Sequence, residues 1–444
     1  MRPLSSAVEK FATHVLEMKL VRGVSGVMDT PMNAAADTRP PSAATSKVNL
    51  RRPDVMERVA AEVARHYQSS TVEKLRGRGG FLTIGNTTIH LAKEFGFCYG
   101  VERAIDLAYA ARRVFPGQRM FLIGEIIHNQ EVNRQLRDMH IESLPWLELD
   151  ASYETLTDQD VVIVPAFGAP TAFMDKLAQR GCQVVDTTCG DVMKVWRHVR
   201  EYAKDGVTSI IHGKANHEET RATSSRALGV SGDGQYLVIL TLEDADNVCN
   251  YILGHGERKA FLARFEHAHS PGFDPDLHLR RVGVANQTTM LKSETEEIQR
   301  RLRQAIIQRD GDASGLRVFD TICGATQDRQ DALFDMLREP PDLLLVVGGY
   351  NSSNTSHLVE IGERQLPTFF IRDASCLKSL EQIAHFDLHR GEEVTTGYAH
   401  ALLSDQPVSV GITAGASCPS NLIEATILRV FELRGIDSAV IANA

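Results

Sequence analysis

Three cysteines of this chain stand in the same kind of place. "VVDTTCG" at 184–190 and "VFDTICG" at 318–324 share the pattern V-x-D-T-x-C-G. Each closes a strand and opens a helix, marked by Val192, Val195 and Val199 after the first and by Ala325, Ala332 and Met336 after the second. "GFCYG" sets Cys98 between Gly96 and Gly100 at the mouth of a third helix, whose inward stripe is Val101, Ile105 and Ala108. Glycine lets backbone approach a bulky group, and a helix N-terminus favours a thiolate. Cys98, Cys189 and Cys323 can therefore converge on one metal centre, and soft thiolates select zinc or an iron–sulfur cluster. Structural zinc sites use close C-x-x-C pairs, which this sequence lacks, so a cluster bridging distant segments fits better. A four-iron cube with three cysteine ligands leaves one iron open to a substrate oxygen.

Other strand ends carry donors for an anion. "GEIIHNQEV" offers His128 and Asn129, and "HGKANHEET" offers Lys214, His217, Glu218 and Glu219. "VVGGYNSSNTSHL" offers Ser352, Ser353 and Asn354, and "TAGASCPSNLIEA" offers Ser417. Hydroxyls, imidazoles and free amides at helix N-termini suit phosphate, although any one of them alone is explained by local capping. Glu219 is the candidate proton donor; Glu218 reads as a solvated surface residue.

The elements that must position these groups alternate. The apolar runs "MFLIGEII", "VVIVPAF", "TSIIHG", "YLVIL", "RVGVAN", "LLLVVGG", "TFFIRD" and "VSVGITAG" read as strands separated by amphipathic helices. That pattern predicts parallel sheets covered on both faces, with ligands at the carboxyl ends of the strands. The organisation expected is a flexible extension at 1–48, a helix and hairpin region at 49–92, and three α/β units at 93–189, 190–322 and 323–444. The hairpin is "FLTIGNTTIHLA" around Gly85-Asn86, after a helix at 53–67 with Met56, Val59, Val63 and Tyr67 on one side. Within the extension, 5–20 reads as an amphipathic helix and 24–48 as a Pro/Ala/Ser/Thr-rich linker. Glu9 and Glu17 argue against a transit peptide.

Bulk properties narrow the field. A chain of 444 residues holds roughly two to four units. A net charge of −9 speaks against general nucleic-acid binding, and no apolar run is long enough to span a bilayer. Seven cysteines, odd and sparse, point to reduced thiols in an intracellular protein.

Taken in order, "GFCYGVERA", "IHNQEVN", "DTTCGDVMKVW", "HGKANHEE", "ANQTTM", "TICGATQDRQDA", "VVGGYNSSNTSHL" and "GITAGAS" resemble the motifs of the hydroxymethylbutenyl diphosphate reductase (LytB/IspH) family from about Lys93 to Phe431. The resemblance implies three α/β units in a trefoil around a central [4Fe–4S] cluster, one per chain. It implies reductive loss of the substrate hydroxyl to give isopentenyl and dimethylallyl diphosphates, the last step of the non-mevalonate isoprenoid route. Cys98, Cys189 and Cys323 fall on cluster ligands. His128, His217, Ser352, Ser353, Asn354 and Ser417 fall on substrate-binding positions, Glu219 on the proton-relay carboxylate and Thr288 on its hydroxyl partner. A one-electron donor such as ferredoxin or flavodoxin is the implied partner, with no nucleic acid and no membrane. The implied location is cytoplasmic, or the plastid stroma if the source is a photosynthetic eukaryote.

Three departures mark the longer plant and cyanobacterial-type branch or this chain alone: Phe167 where the commonest bacterial pattern has histidine, Gly190 in place of proline, and the long region before Lys93. A phenyl ring donates no hydrogen bond, so Lys214, three residues before His217, is the expected replacement donor for the diphosphate. Two other readings compete: an iron–sulfur sensor without catalysis, and a metal-independent phosphate-ester enzyme.

Overall fold

The computed structural model describes residues 49–319, 321–397, 406–437 and 441. The extension at 1–48, with its expected helix and linker, lies outside the described residues.

The helices Pro53–Tyr67 and Ser70–Gly77 lead into a hairpin of β1 (Phe81–Ile84) and β2 (Thr87–Leu91). The next four strands are β3 (Met120–Ile123), β4 (Ile141–Leu144), β5 (Val161–Val164) and β6 (Gln183–Asp186). They form one parallel sheet in the order β4-β3-β5-β6. A second parallel sheet holds β7 (Thr208–His212), β8 (Tyr236–Ile239), β9 (Val282–Asn286) and β10 (Leu316–Val318), in the order β10-β9-β7-β8. The rest of the chain supplies β11 (Leu343–Val347), β12 (Thr368–Ile371), a separate hairpin of β13 (Ile383–Asp387) and β14 (Glu392–Thr396), and β15 (Val408–Ala414). The third sheet runs β1-β2-β15-β11-β12, antiparallel only between β1 and β2.

The hairpin therefore does not stand apart with the N-terminal helices, as the sequence suggested. Ile89 pairs with Val410 and Leu91 with Ile412, so β2 completes the third sheet. Its residues Ile89 and Leu91 are buried there with Leu345, Val410 and Ile412, which is the gain that recruits it. With β2 in place, the three sheets share one order. The pattern 4-3-5-6 recurs as 8-7-9-10 and as 12-11-15-2. Each cysteine follows the fourth strand of its set.

The apolar runs are buried on both faces, as parallel strands require. In the first sheet Met120, Leu122, Val161 and Ile163 join Val101, Ile105 and Ala108 on one side, while Phe121, Ile123, Val162 and Val164 form a separate cluster on the other. The helix Tyr99–Val114 thus packs its predicted stripe on the first sheet, although its cysteine follows a strand of the third. No helix of the described residues is long and apolar enough to cross a membrane.

Candidate active site

In each sheet the strand order reverses between its two central strands, and open α/β sheets bind ligands at such points. The loops after β3 and β5, β7 and β9, and β11 and β15 all open onto one cavity of about 670 Å³. Its wall includes Cys98, Cys189, Cys323, His128, His217, Glu219, Thr288, Ser352, Ser353, Asn354 and Ser417. Of the donors expected in the site from sequence, Lys214 and Asn129 do not line this cavity; Asn129 caps the helix Gln130–Asp138 instead.

Each of the three cysteines is the N-cap of a helix: Tyr99–Val114, Gly190–Lys204 and Gly324–Met336. Gly96 takes φ +81°, a left-handed turn that aims the chain into the first of them. A Cβ placed on Gly100 would lie 2.6 Å from Cys189 Sγ and 3.9 Å from Cys98 Sγ, so only glycine leaves the sulfurs room. The Thr326 N–H donates to Cys323 Sγ at 3.3 Å, and the Thr326 hydroxyl lies 2.9 Å from the same sulfur. Burial nevertheless pushes the Cys323 thiol up to about 12 and raises that of Cys189, outweighing the helix N-terminus. Thiols in such a place are held deprotonated by a bound metal, which inverts the local preference. Three soft donors lining one cavity fit an iron–sulfur centre.

The opposite wall is arranged to donate. The Glu219 N–H donates to His217 Nδ1 at 3.1 Å, which leaves the ring proton of His217 on Nε2. Burial first, then the charges of His128 and Lys214, hold the His217 pKa well below the ordinary range, so this ring is neutral. His128 holds Glu125 Oε2 at 3.0 Å through Nδ1, while its buried Nε2 has no hydrogen-bond partner. Glu218 is not the surface residue expected: its Oε2 lies 3.6 Å from His128 Nε2. His128, His217 and Glu218 come close enough to grip a cation. The proton fixed on His217 Nε2 argues against that use and for an anion. Ser352 Oγ accepts from Thr355 N and Oγ1, and Ser353 Oγ accepts from Gln287 Nε2, so both serine hydroxyl protons remain to be given. Asn354 bridges Ala416 N and Thr326 Oγ1, and Ser417 Oγ donates to the His128 carbonyl.

Phe167 stacks on His128 with ring centroids 4.8 Å apart and planes 15° apart, and meets His217 edge-on at 6.1 Å. It fixes the imidazoles that remain rather than adding a donor. Lys214, the expected replacement donor, is exposed and lies outside the residues that line this cavity. Its backbone N–H donates to Oε1 of the buried Gln287, which anchors the loop.

Glu219 is 3 % exposed. Its Oε1 accepts from Thr288 N at 2.6 Å and its Oε2 pairs with Thr288 Oγ1 at 3.0 Å. Burial raises its pKa to about 7, against the lowering effect of the two Thr288 hydrogen bonds. Glu219 is thus a carboxylic acid able to keep its proton near neutral pH.

Sequence reasoning missed Arg329 and Thr326, which also line the cavity. Both lie inside "TICGATQDRQDA", but arginine and threonine are ordinary helix-surface residues and carry no signal of burial.

Three like-ordered α/β sheets that open their switch points onto one thiol- and imidazole-lined cavity define a three-unit α/β protein built around a central pocket. The sequence matches the LytB protein family over residues 89–431, and the chain belongs to that family. It is 47% identical over 384 residues to the 4-hydroxy-3-methylbut-2-enyl diphosphate reductase of Thermosynechococcus vestitus, covering 86% of this chain and 93% of the relative. The enzyme of the same name from Gloeobacter violaceus is 47% identical over 386 residues, covering 85% and 90%. The fold is similar to that of the E-1-hydroxy-2-methyl-but-2-enyl-4-diphosphate reductase from Plasmodium falciparum, with a TM-score of 0.56 at 21% identity over 76% of this chain and 86% of that one.

Proposed function

We propose that this chain is a 4-hydroxy-3-methylbut-2-enyl diphosphate reductase. It removes the allylic hydroxyl with two electrons and two protons, giving water and isopentenyl or dimethylallyl diphosphate. The observation that carries this reading is the meeting of three cysteines, two imidazoles and a buried carboxyl in one cavity. Cys98, Cys189 and Cys323 would hold a [4Fe–4S] cluster, which supplies the electrons it receives from a one-electron carrier of the ferredoxin or flavodoxin type.

The rest is the work of the chain's own residues. His217 Nε2–H and the free hydroxyl protons of Ser352 and Ser353 hold the diphosphate, with His128 Nε2 beside them. The stack of Phe167 on His128 keeps that ring from turning away. With Glu219 ionised, Thr288 N donates to Oε1 and the Thr288 hydroxyl to Oε2; when Glu219 is protonated on Oε2 the second bond reverses and Oε2–H donates to Thr288 Oγ1. The Thr288 hydroxyl proton is then free to point into the cavity, and a proton handed on there is replaced from Glu219. Burial keeps water from levelling the acidity of this pair.

Anaerobic turnover of the allylic diphosphate, followed through the two isomeric products, tests the reading. A sensor would bind iron without forming either product. Phe167→Ala is expected to raise the Michaelis constant about twofold to tenfold, the worth of one aromatic stack, with little change in turnover. An unchanged constant would show that the stack positions nothing. Lys214→Ala, at an exposed and solvent-screened position, should shift the constant by less than about threefold at moderate salt. A tenfold rise would restore the lysine as a diphosphate ligand.

A further inference from the structure

Arg329 is only 4 % exposed, on the second turn of the helix Gly324–Met336. Its Nη1 donates to the Ala325 carbonyl at 2.7 Å and its Nη2 to the Gly96 carbonyl at 2.5 Å. The side chain therefore ties the turn that presents Cys98 to the helix that begins at Cys323. Its Nε is buried without any partner, and among the described residues it forms no ion pair with a carboxylate. A buried guanidinium with only carbonyls for company is costly unless a negative charge lies close by. The groups whose charge bears on it most are Cys98 and Cys323, ahead of Glu94 and Asp328.

We propose that Arg329 is the built-in counter-charge of the metal centre and raises its reduction potential. The inference rests on the reading that Cys98, Cys189 and Cys323 hold a [4Fe–4S] cluster. One electron takes such a core from 2+ to 1+, and with three thiolates the whole goes from −1 to −2. A fixed buried cation favours the more negative state, since net charge and solvent exposure set these potentials. Arg329 acts through the cysteines and the turn they stand on, so it is a positioning residue.

The test is an EPR-monitored titration with dithionite of the anaerobically loaded full-length protein and of its Arg329→Gln and Arg329→Lys variants. Glutamine keeps a donor without the charge; lysine keeps the charge without the fork. The expected midpoint of Arg329→Gln is more negative by at least a tenfold change in the reduction equilibrium, about 59 mV for one electron. Arg329→Lys should move less than half as far. A glutamine variant with wild-type iron content and an unmoved midpoint overturns the proposal, as does a lysine variant moved as far as glutamine. If Arg329→Gln cannot be loaded, iron content decides: loading by lysine but not glutamine supports the counter-charge, and failure of both overturns it. A wild-type protein that takes up no cluster would defeat the reading of the three cysteines instead.

Discussion

Serine in place of Cys98, Cys189 or Cys323, one at a time, is expected to strip the iron–sulfur chromophore and abolish turnover. Each sulfur caps its own helix and comes from its own sheet, so no neighbouring thiol stands in for a lost one. Serine offers a hard oxygen that resists deprotonation, a poor exchange for a soft thiolate. The same change at Cys182, Cys249 or Cys376 should leave the brown colour and the activity in place. Those three are buried in apolar clusters of the individual sheets, Cys182 beside the Thr157 carbonyl and Cys376 beside Tyr350. Anaerobic absorption spectra and iron content across the six variants check the prediction. Equal loss of colour in both groups would contradict it.

Glu219→Gln is expected to keep the iron content and lower turnover by about a hundredfold or more, the scale of losing a positioned proton donor. In the wild type, turnover should decline on the alkaline side with an apparent pKa about 7, where Glu219 loses its proton. That limb should vanish from the residual activity of the variant. The same carboxyl makes a stability prediction of defined sign. Its folded pKa of about 7 lies above its ordinary value of 4.5, so between these pH values the folded chain binds more protons than the unfolded one. Stability therefore falls as pH rises from about 4.5 to about 7 and is level above, by roughly 3 kcal/mol for this one group. Glu219→Gln should flatten this part of the profile, as read from denaturant midpoints at pH 5 and pH 8. Full turnover in the variant would place the carboxyl outside the proton path.

Much of the site was legible because its signals are local. The repeat around Cys189 and Cys323 and the glycines around Cys98 lie within a few residues of the groups they position. The apolar runs of β3, β5, β7, β9, β11 and β15 are continuous because both faces are buried, and these central strands deliver the cavity loops. The placement of β2 was not legible. Its partner Val408–Ala414 lies more than three hundred residues away, and parallel pairing leaves no turn signature between the strands. The polar strand Glu392–Thr396 was missed because its residues are mostly exposed and show no apolar run. Lys214 lies outside the cavity and Glu218 beside His128 for a related reason. Their loop is set by Gln287, which holds Lys214 N and the Thr220 hydroxyl from another strand end. Nothing in "HGKANHEET" announces that contact.

The central claim is that a three-cysteine cluster and a diphosphate-binding wall share one cavity. The most direct measurement is EPR of the dithionite-reduced, anaerobically prepared protein before and after addition of 4-hydroxy-3-methylbut-2-enyl diphosphate, with iron counted on the same sample. The account predicts about four iron atoms per chain and a cluster signal whose shape changes when the substrate enters. A protein that binds the diphosphate with no cluster signal, or with a signal that the substrate leaves untouched, would contradict it.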